Sequence, residues 1–171
     1  MKKFMMLFLS AILFACNSQN VDVILETDGK EYKITDNVSF YYPKDFEIDL
    51  TAENKEGISF VKKDEIYKYT MNFNNSDNNI DDYPLLYLGQ LQENGAIEAE
   101  YSSIVLENQM KCYEYTGIYK TNGIKFKQVV YFTNAATYVY MYQASEDVFN
   151  ERVNIITQYL RSLTVHNEQV S

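Results

Sequence analysis

The chain has 171 residues, with 15 basic against 24 acidic side chains, a formal net charge of −9 and a single histidine. Such an acidic exterior repels phosphate backbones, which excludes nucleic acid as a partner. With one histidine, two cysteines and 6 glycines, the chain also lacks the means for histidine-assisted nucleophilic catalysis, the usual zinc sites or a phosphate-binding glycine loop.

The N-terminus reads Met1-Lys2-Lys3, then an apolar run from Phe4 to Phe14 broken only by Ser10, then Ala15-Cys16 and the polar Asn17-Ser18-Gln19-Asn20. About eleven apolar residues make a helical run of roughly 17 Å, too short for a hydrocarbon core of roughly 30 Å. Residues 1–15 therefore read as a signal peptide and not as a permanent span. Leu13-Phe14-Ala15-Cys16 resembles the lipobox of bacterial lipoproteins, with an aliphatic residue three before the cysteine and a small one directly before it. Phe14 is bulkier than that pattern prefers. The resemblance implies that a diacylglycerol thioether forms on the Cys16 sulfur, that cleavage makes Cys16 the new N-terminus, and that acyl chains such as palmitate hold the protein on the membrane. The expected location is the cell membrane, lipid-anchored and facing outward. The other reading is an ordinary secretory signal cut near Ala15, with Cys16 incidental. Loss of Lys2 and Lys3 with the signal moves the formal charge from −9 to −11, so the body is expected to stand off the bilayer.

The roughly 155 residues that remain suit one domain with a core of its own. With Cys16 lipidated, Cys112 is the remaining cysteine, and among aromatic and β-branched neighbours it reads as a small buried hydrophobe.

In chain order, residues 16–31 read as the lipidated cysteine and a polar tether, with Asp28-Gly29 as a turn, although Val21, Val23, Ile24 and Leu25 could begin a strand. The domain is expected over 32–164. Val38-Ser39-Phe40-Tyr41-Tyr42-Pro43 predicts a strand closed by proline, and Phe46-Glu47-Ile48-Asp49-Leu50 a half-buried one. Further strands are expected from Gly57 to Val61 and from Ile66 to Phe73. After the turn cluster Asn74-Asn75-Ser76-Asp77-Asn78-Asn79 a helix is expected, with Asp81 or Asp82 as N-cap, Pro84 in the first turn, and Leu85, Leu88, Leu91 and Tyr87 on its apolar face before Asn94-Gly95. Three strands follow as a meander, from Ile97 to Leu106, Met110 to Tyr119 and Ile124 to Phe132, with Asn122-Gly123 read as a type I′ hairpin turn. A strand from Thr137 to Gln143 puts Tyr138, Tyr140 and Tyr142 on one face and Val139 and Met141 on the other. The last helix is expected to be capped by Ser145, with Phe149, Val153, Ile156, Leu160 and Leu163 on its buried stripe and Glu151, Arg152 and Gln158 off it. Residues 165–171 form a polar tail.

This order predicts an α+β fold, a mainly antiparallel sheet covered by helices. The run Val38-Ser39-Phe40-Tyr41-Tyr42-Pro43-Lys44-Asp45-Phe46, an aromatic-x-Pro-x-x-aromatic strand, and the closing helix ending in Tyr159-Leu160-Arg161-Ser162-Leu163 resemble the PsbP-like fold of small exported lipoproteins. That resemblance implies a PsbP-like sandwich over about 130 residues whose relatives are mostly accessory or binding proteins, and a shared fold does not transfer a role.

Two stretches are candidates for function. The oxygen-rich run Asn74, Asn75, Ser76, Asp77, Asn78, Asn79, Asp81 and Asp82 is chemically able to bind a hard cation, but it lacks the glycine and the terminal glutamate of an EF-hand loop, and a solvated helix-capping turn accounts for the same residues. The 16 tyrosines, with no tryptophan, are the second. Tyr138, Tyr140 and Tyr142 are either an exposed row that stacks on a sugar or peptide, or a row covered by a helix with each hydroxyl at the core's edge. Three roles remain: a non-catalytic binding or accessory module anchored in the envelope, a metal-dependent envelope hydrolase built on Asp77, Asp81 and Asp82, or a purely structural envelope component. The first is the expected one, with no cofactor, the membrane as one partner through the lipid on Cys16, and an unknown protein or small molecule as the other.

Overall fold

The computed structural model describes residues 23–54, 57–74 and 79–166, so the signal segment, Cys16 and residues 75–78 of the asparagine run lie outside the described residues. A one-turn helix α1 (Leu25–Asp28) leads into β1 (Gly29–Thr35) and β2 (Val38–Pro43), followed by β3 (Glu47–Asn54), β4 (Gly57–Lys62) and β5 (Glu65–Phe73). A 3-10 turn at Ile80–Asp82 runs into α2 (Tyr83–Glu93), and then come β6 (Ala96–Val105), β7 (Lys111–Tyr119), β8 (Ile124–Phe132), β9 (Ala136–Ala144), α3 (Glu146–Leu160) and β10 (Thr164–Val165). The strands form a seven-stranded sheet ordered β3-β4-β5-β9-β8-β7-β6 and a three-stranded one ordered β1-β2-β10. Every strand pair in both is antiparallel, so the expected α+β class forms. Among the described residues no helix is long and apolar enough to cross a membrane.

Two hydrophobic cores lie on opposite faces of the large sheet. On one face α3 lies against β2, β8 and β9, and Phe40 of β2 stacks on Tyr140 of β9 with ring centroids 4.3 Å apart and meets Phe60 edge-on at 5.7 Å. Sheet-on-sheet packing of this kind needs inward aromatics at alternate positions, and Phe40 and Tyr42 in β2 and Tyr67 and Tyr69 in β5 supply them. On the other face α2 covers Tyr115, Phe126, Val130 and Phe132 with Tyr83 and Leu91. Strand alternation sends neighbouring residues to opposite faces, which is how Val129 joins one core and Val130 the other.

Several local expectations are corrected. The ordered domain starts before residue 32, because α1 folds back on β1 and the Val23 amide donates to Gln158 Oε1 at 2.7 Å. Gly29 permits this: a Cβ there would stand 2.8 Å from the Leu25 carbonyl oxygen and 3.0 Å from the Tyr159 ring. The β7–β8 connection is not a two-residue type I′ turn. Tyr119 pairs with Ile124 across a four-residue loop in which Gly123 alone has positive φ, at 67°, while the Asn122 side chain accepts from the Ile124 amide. Leu85 points outward, since α2 buries Tyr83, Pro84 and Leu91. Asn79 rather than Asp81 or Asp82 supplies the side-chain cap, on the 3-10 turn. Ser145 occupies the N-cap position of α3, but its hydroxyl makes no capping bond.

The stripe on α3 is as expected at Phe149, Ile156 and Leu160, with Val153 half-buried and Tyr159 added. Replacing Leu160, which is fully buried, by Ala is expected to lower stability by about 2 to 5 kcal/mol through lost burial and a residual cavity. Urea denaturation measures this, and a loss below about 0.5 kcal/mol, the size of a surface change, would mean that α3 does not pack as described.

Candidate functional site

The tyrosine row of β9 is core, which corrects the reading of Tyr138, Tyr140 and Tyr142 as an exposed binding row. Tyr140 and Tyr142 have no exposed surface and Tyr138 is half-buried. The cover comes from two elements: the small sheet closes over Tyr140 through Phe40, and α3 closes over Tyr142 through Phe149, 6.0 Å between ring centroids. The hydroxyls are used internally. Tyr140 donates to the Tyr41 carbonyl at 2.8 Å, and Tyr142 donates to Glu65 Oε2 at 2.6 Å. Tyr67 and Tyr69, beside them, bury hydroxyls that have no hydrogen-bond partner among the described residues, a cost that their ring packing must offset.

The oxygen-rich stretch is likewise committed to structure where it is described. Asn74 donates from Nδ2 to the Thr133 carbonyl and accepts at Oδ1 from the Thr137 hydroxyl, which ties β5 to β9. Asn79 Oδ1 accepts from the Asp81 amide. Asp77, Asn75, Ser76 and Asn78 lie outside the described residues. Among the described residues no three His, Cys, Asp or Glu side chains are grouped to hold a metal ion.

Two carboxylates that the sequence reading passed over are buried in the α3 face of the sheet. Glu65 at the start of β5 accepts from Arg152 Nη1 at 2.7 Å on one oxygen and 2.6 Å on the other, and from the Tyr142 hydroxyl. Arg152 therefore turns inward, although the helical stripe placed it outside. Glu114 of β7 accepts from Arg161 Nε at 2.7 Å and faces Lys127 Nζ at 3.2 Å. Burial opposes its charge, but the Arg161 hydrogen bond and the charges of Lys127 and Arg161 outweigh that, so its carboxyl titrates below the ordinary glutamate range. The signal for both was an acidic residue in the inward phase of a strand: Glu65 is in phase with Tyr67 and Tyr69, and Glu114 with Cys112.

Beyond Glu114, around Glu100, Ser102 and Thr116, no described residue covers the α3 face of the sheet, while Ile104 farther along β6 packs against the first core. Helix α3 reaches β8 and β9, and the small sheet packs through Phe40 and Tyr42 on Phe60, Tyr69 and Tyr140. On the uncovered part, Glu100 of β6 pairs with Thr116 and Ser102 with Glu114. Two adjoining cavities of about 330 and 280 Å³ share Glu100 and Thr116; the first adds Ser102, Glu114 and Lys127, the second Glu98, Lys125 and Phe149. The cations of this groove are already paired, Lys127 and Arg161 with Glu114 and Lys125 with Glu146. Glu98 and Glu100 have no ion-pair partner among the described residues, and Glu100 accepts one long bond from the Thr116 hydroxyl at 3.4 Å. The groove is thus polar, acidic and bordered by an edge strand.

Comparison with known structures decides the architecture. The cyanobacterial PsbP protein CyanoP of Synechocystis superposes with a TM-score of 0.56 over 90% of this chain and 99% of its own, at 16% identity. The fold is PsbP-like. LpqN, involved in cell envelope biogenesis of Mycobacterium tuberculosis, also superposes on this chain, at a TM-score of 0.53 and 14% identity, covering 80% of this chain and 85% of LpqN. A Pseudomonas aeruginosa protein of unknown function matches at 0.51 and 12%, over 82% of this chain and 99% of its own. No family model and no curated protein matches the sequence, so the likeness is one of fold.

Because the Glu114 carboxyl is depressed in the folded state, its stabilisation is present above the ordinary glutamate value of about 4.3 and is lost as pH falls from there through the lower folded value. Glu114→Gln should therefore destabilise the domain by about 1 to 3 kcal/mol at pH 7, leaving Lys127 and Arg161 facing each other without a carboxylate. The gap from the parent should narrow below about pH 4. Chemical denaturation at a series of pH values measures it, and a gap that does not change with pH would dissociate Glu114 from the acid response.

Proposed function

We propose that this chain is an envelope lipoprotein, held on the outer side of the cell membrane by lipid on Cys16, whose PsbP-like domain is a non-catalytic accessory module that binds a protein or small-molecule partner. The observation that carries the reading is the half-uncovered sheet: a domain that buries one end of its α3 face under aromatic packing leaves the other end, around Glu100, Ser102 and Thr116, as a formed groove with unpaired carboxylates. Loops and grooves on a rigid scaffold are where binding residues concentrate. The similarity to LpqN, a protein involved in cell envelope biogenesis, supports the compartment. The chain's own signal pattern and Cys16 support the anchor. Val23, the first described residue, lies seven positions beyond Cys16, so the domain sits within about 25 Å of the anchor even with the intervening chain fully extended. The net acidity argues against nucleic acid as the partner.

Two measurements test the two halves of this reading. Cys16→Ser should abolish incorporation of labelled fatty acid and move the protein out of the washed membrane fraction; label still entering the variant would refute the anchor. A photo-crosslinking residue at Ser102, in the open groove, should give a discrete adduct in native envelopes, whereas one at Asn122, in the β7–β8 loop, should not. Equal or absent adducts at both positions would remove the groove as the binding surface.

A further inference from the structure

We propose that β6 is the acceptor edge for an extended, basic segment of a partner protein, which adds to the large sheet as an eighth strand. The inference deepens the reading of the domain as a binding module, on which it rests, by naming the surface and the chemistry of the partner.

Strand β6 closes one end of the seven-stranded sheet and, among the described residues, pairs there with β7 alone. An edge of this kind presents backbone donors and acceptors to any incoming strand, and proteins usually blunt it with proline, lysine, a bulge or a covering element. Here the bulge falls between Ile97 and Glu100, with Glu98 at a φ of 52°. It disrupts the first part of the strand and leaves the rest regular. That remainder, Tyr101-Ser102-Ser103-Ile104-Val105, carries neither proline nor lysine and pairs without a break against β7. Its aromatic and β-branched residues suit a pleated strand.

Both faces beside this stretch are shaped to receive side chains at alternate positions. On the α2 face Tyr101 and Val105 are 39% and 66% exposed, an apolar pair two positions either side of Ser103. On the α3 face lie the two cavities, bordered by Glu98, Glu100 and Ser102. A strand added to β6 would lay one set of side chains over Tyr101 and Val105 and send the other into the groove. The charge left unpaired in that groove belongs to Glu98 and Glu100, since its cations are spent on Glu114 and Glu146. The inward set is therefore basic, and the outward set apolar. A second copy of this chain fits less well, because two acidic bodies, each of charge −9 before and −11 after loss of Lys2 and Lys3, would meet along edges that each carry these carboxylates.

The test uses the intact exported domain and a nine-residue synthetic peptide of alternating valine and lysine, blocked at both ends. Fluorescence anisotropy should show binding that weakens at least tenfold when lysine is replaced by glutamate, and at least tenfold for the parent peptide on Glu100→Lys, an exposed position that leaves the core untouched. Two further peptides carry N-methyl groups on alternate residues, one in each phase. Strand addition requires one phase to lose binding and the other to keep it, because only alternate amides face β6, and amide shifts on binding should centre on residues 101–105. Equal binding of the lysine and glutamate peptides, equal behaviour of the two N-methyl phases, shifts centred elsewhere, or a domain that dimerises through β6 in sedimentation would each overturn the proposal. Failure here with a Ser102 adduct still forming would leave the binding-module reading in place and remove only the edge-strand mode.

Discussion

Everything in this domain is arranged around one strand that is buried on both faces. β9 pairs with β5 on one side and β8 on the other, and its residues alternate between two cores: Tyr140 and Tyr142 belong to one, Val139 to the other. A strand in that position tolerates no register slip, because a shift of one residue would exchange the aromatic set for the aliphatic one and misfill both cores. The remaining layers follow from it. The small sheet and α3 are needed to enclose the tyrosines, and α2 is needed on the reverse, so the covering elements are set by the needs of the centre. The sheet's margins are what they leave bare.

The buried ion pairs serve that arrangement from the side. Glu65 and Glu114 sit beneath α3, and each is met by an arginine from it or from its C-terminal end, Arg152 and Arg161. Replacing such a pair by apolar residues is often neutral for stability, so the contribution of these pairs is to orientation. Two carboxylates on β5 and β7, with β9 and β8 between them in the sheet, hold α3 at two separated points across the sheet. Leucine and isoleucine side chains alone would permit it to slide.

Much of this was legible in the residues. β8 begins and ends at Ile124 and Phe132 as expected, and the PsbP-like sandwich follows from the aromatic strand at Val38–Pro43 and the closing helix. What could not be read was the partition of the tyrosines between cover and surface. Alternation puts Tyr138, Tyr140 and Tyr142 on one face of β9, but β2, which covers Tyr140 through Phe40, lies about a hundred residues away in sequence, and no local pattern announces it. Leu85 failed for the opposite reason: helical spacing admitted it to an apolar face, yet α2 docks through Tyr83 and Leu91. At Asn122-Gly123 the dipeptide was right for a turn and wrong for its length, since Lys120 and Thr121 were free to join the loop. The open groove was invisible, because it is defined by where α3 stops.

Cys112 gives the packing a chemical consequence. It lies in β7 with no exposed surface, and burial pushes its thiol up to about 12. Thiolate is the species that attacks disulfides and alkylating reagents, so burial and the raised titration both suppress the reactivity of this side chain in the folded domain. Once β7 parts from its neighbours, the same sulfur meets solvent and reverts to ordinary reactivity. The rate at which a thiol reagent modifies it therefore clocks the opening of the core around β7 without any introduced label.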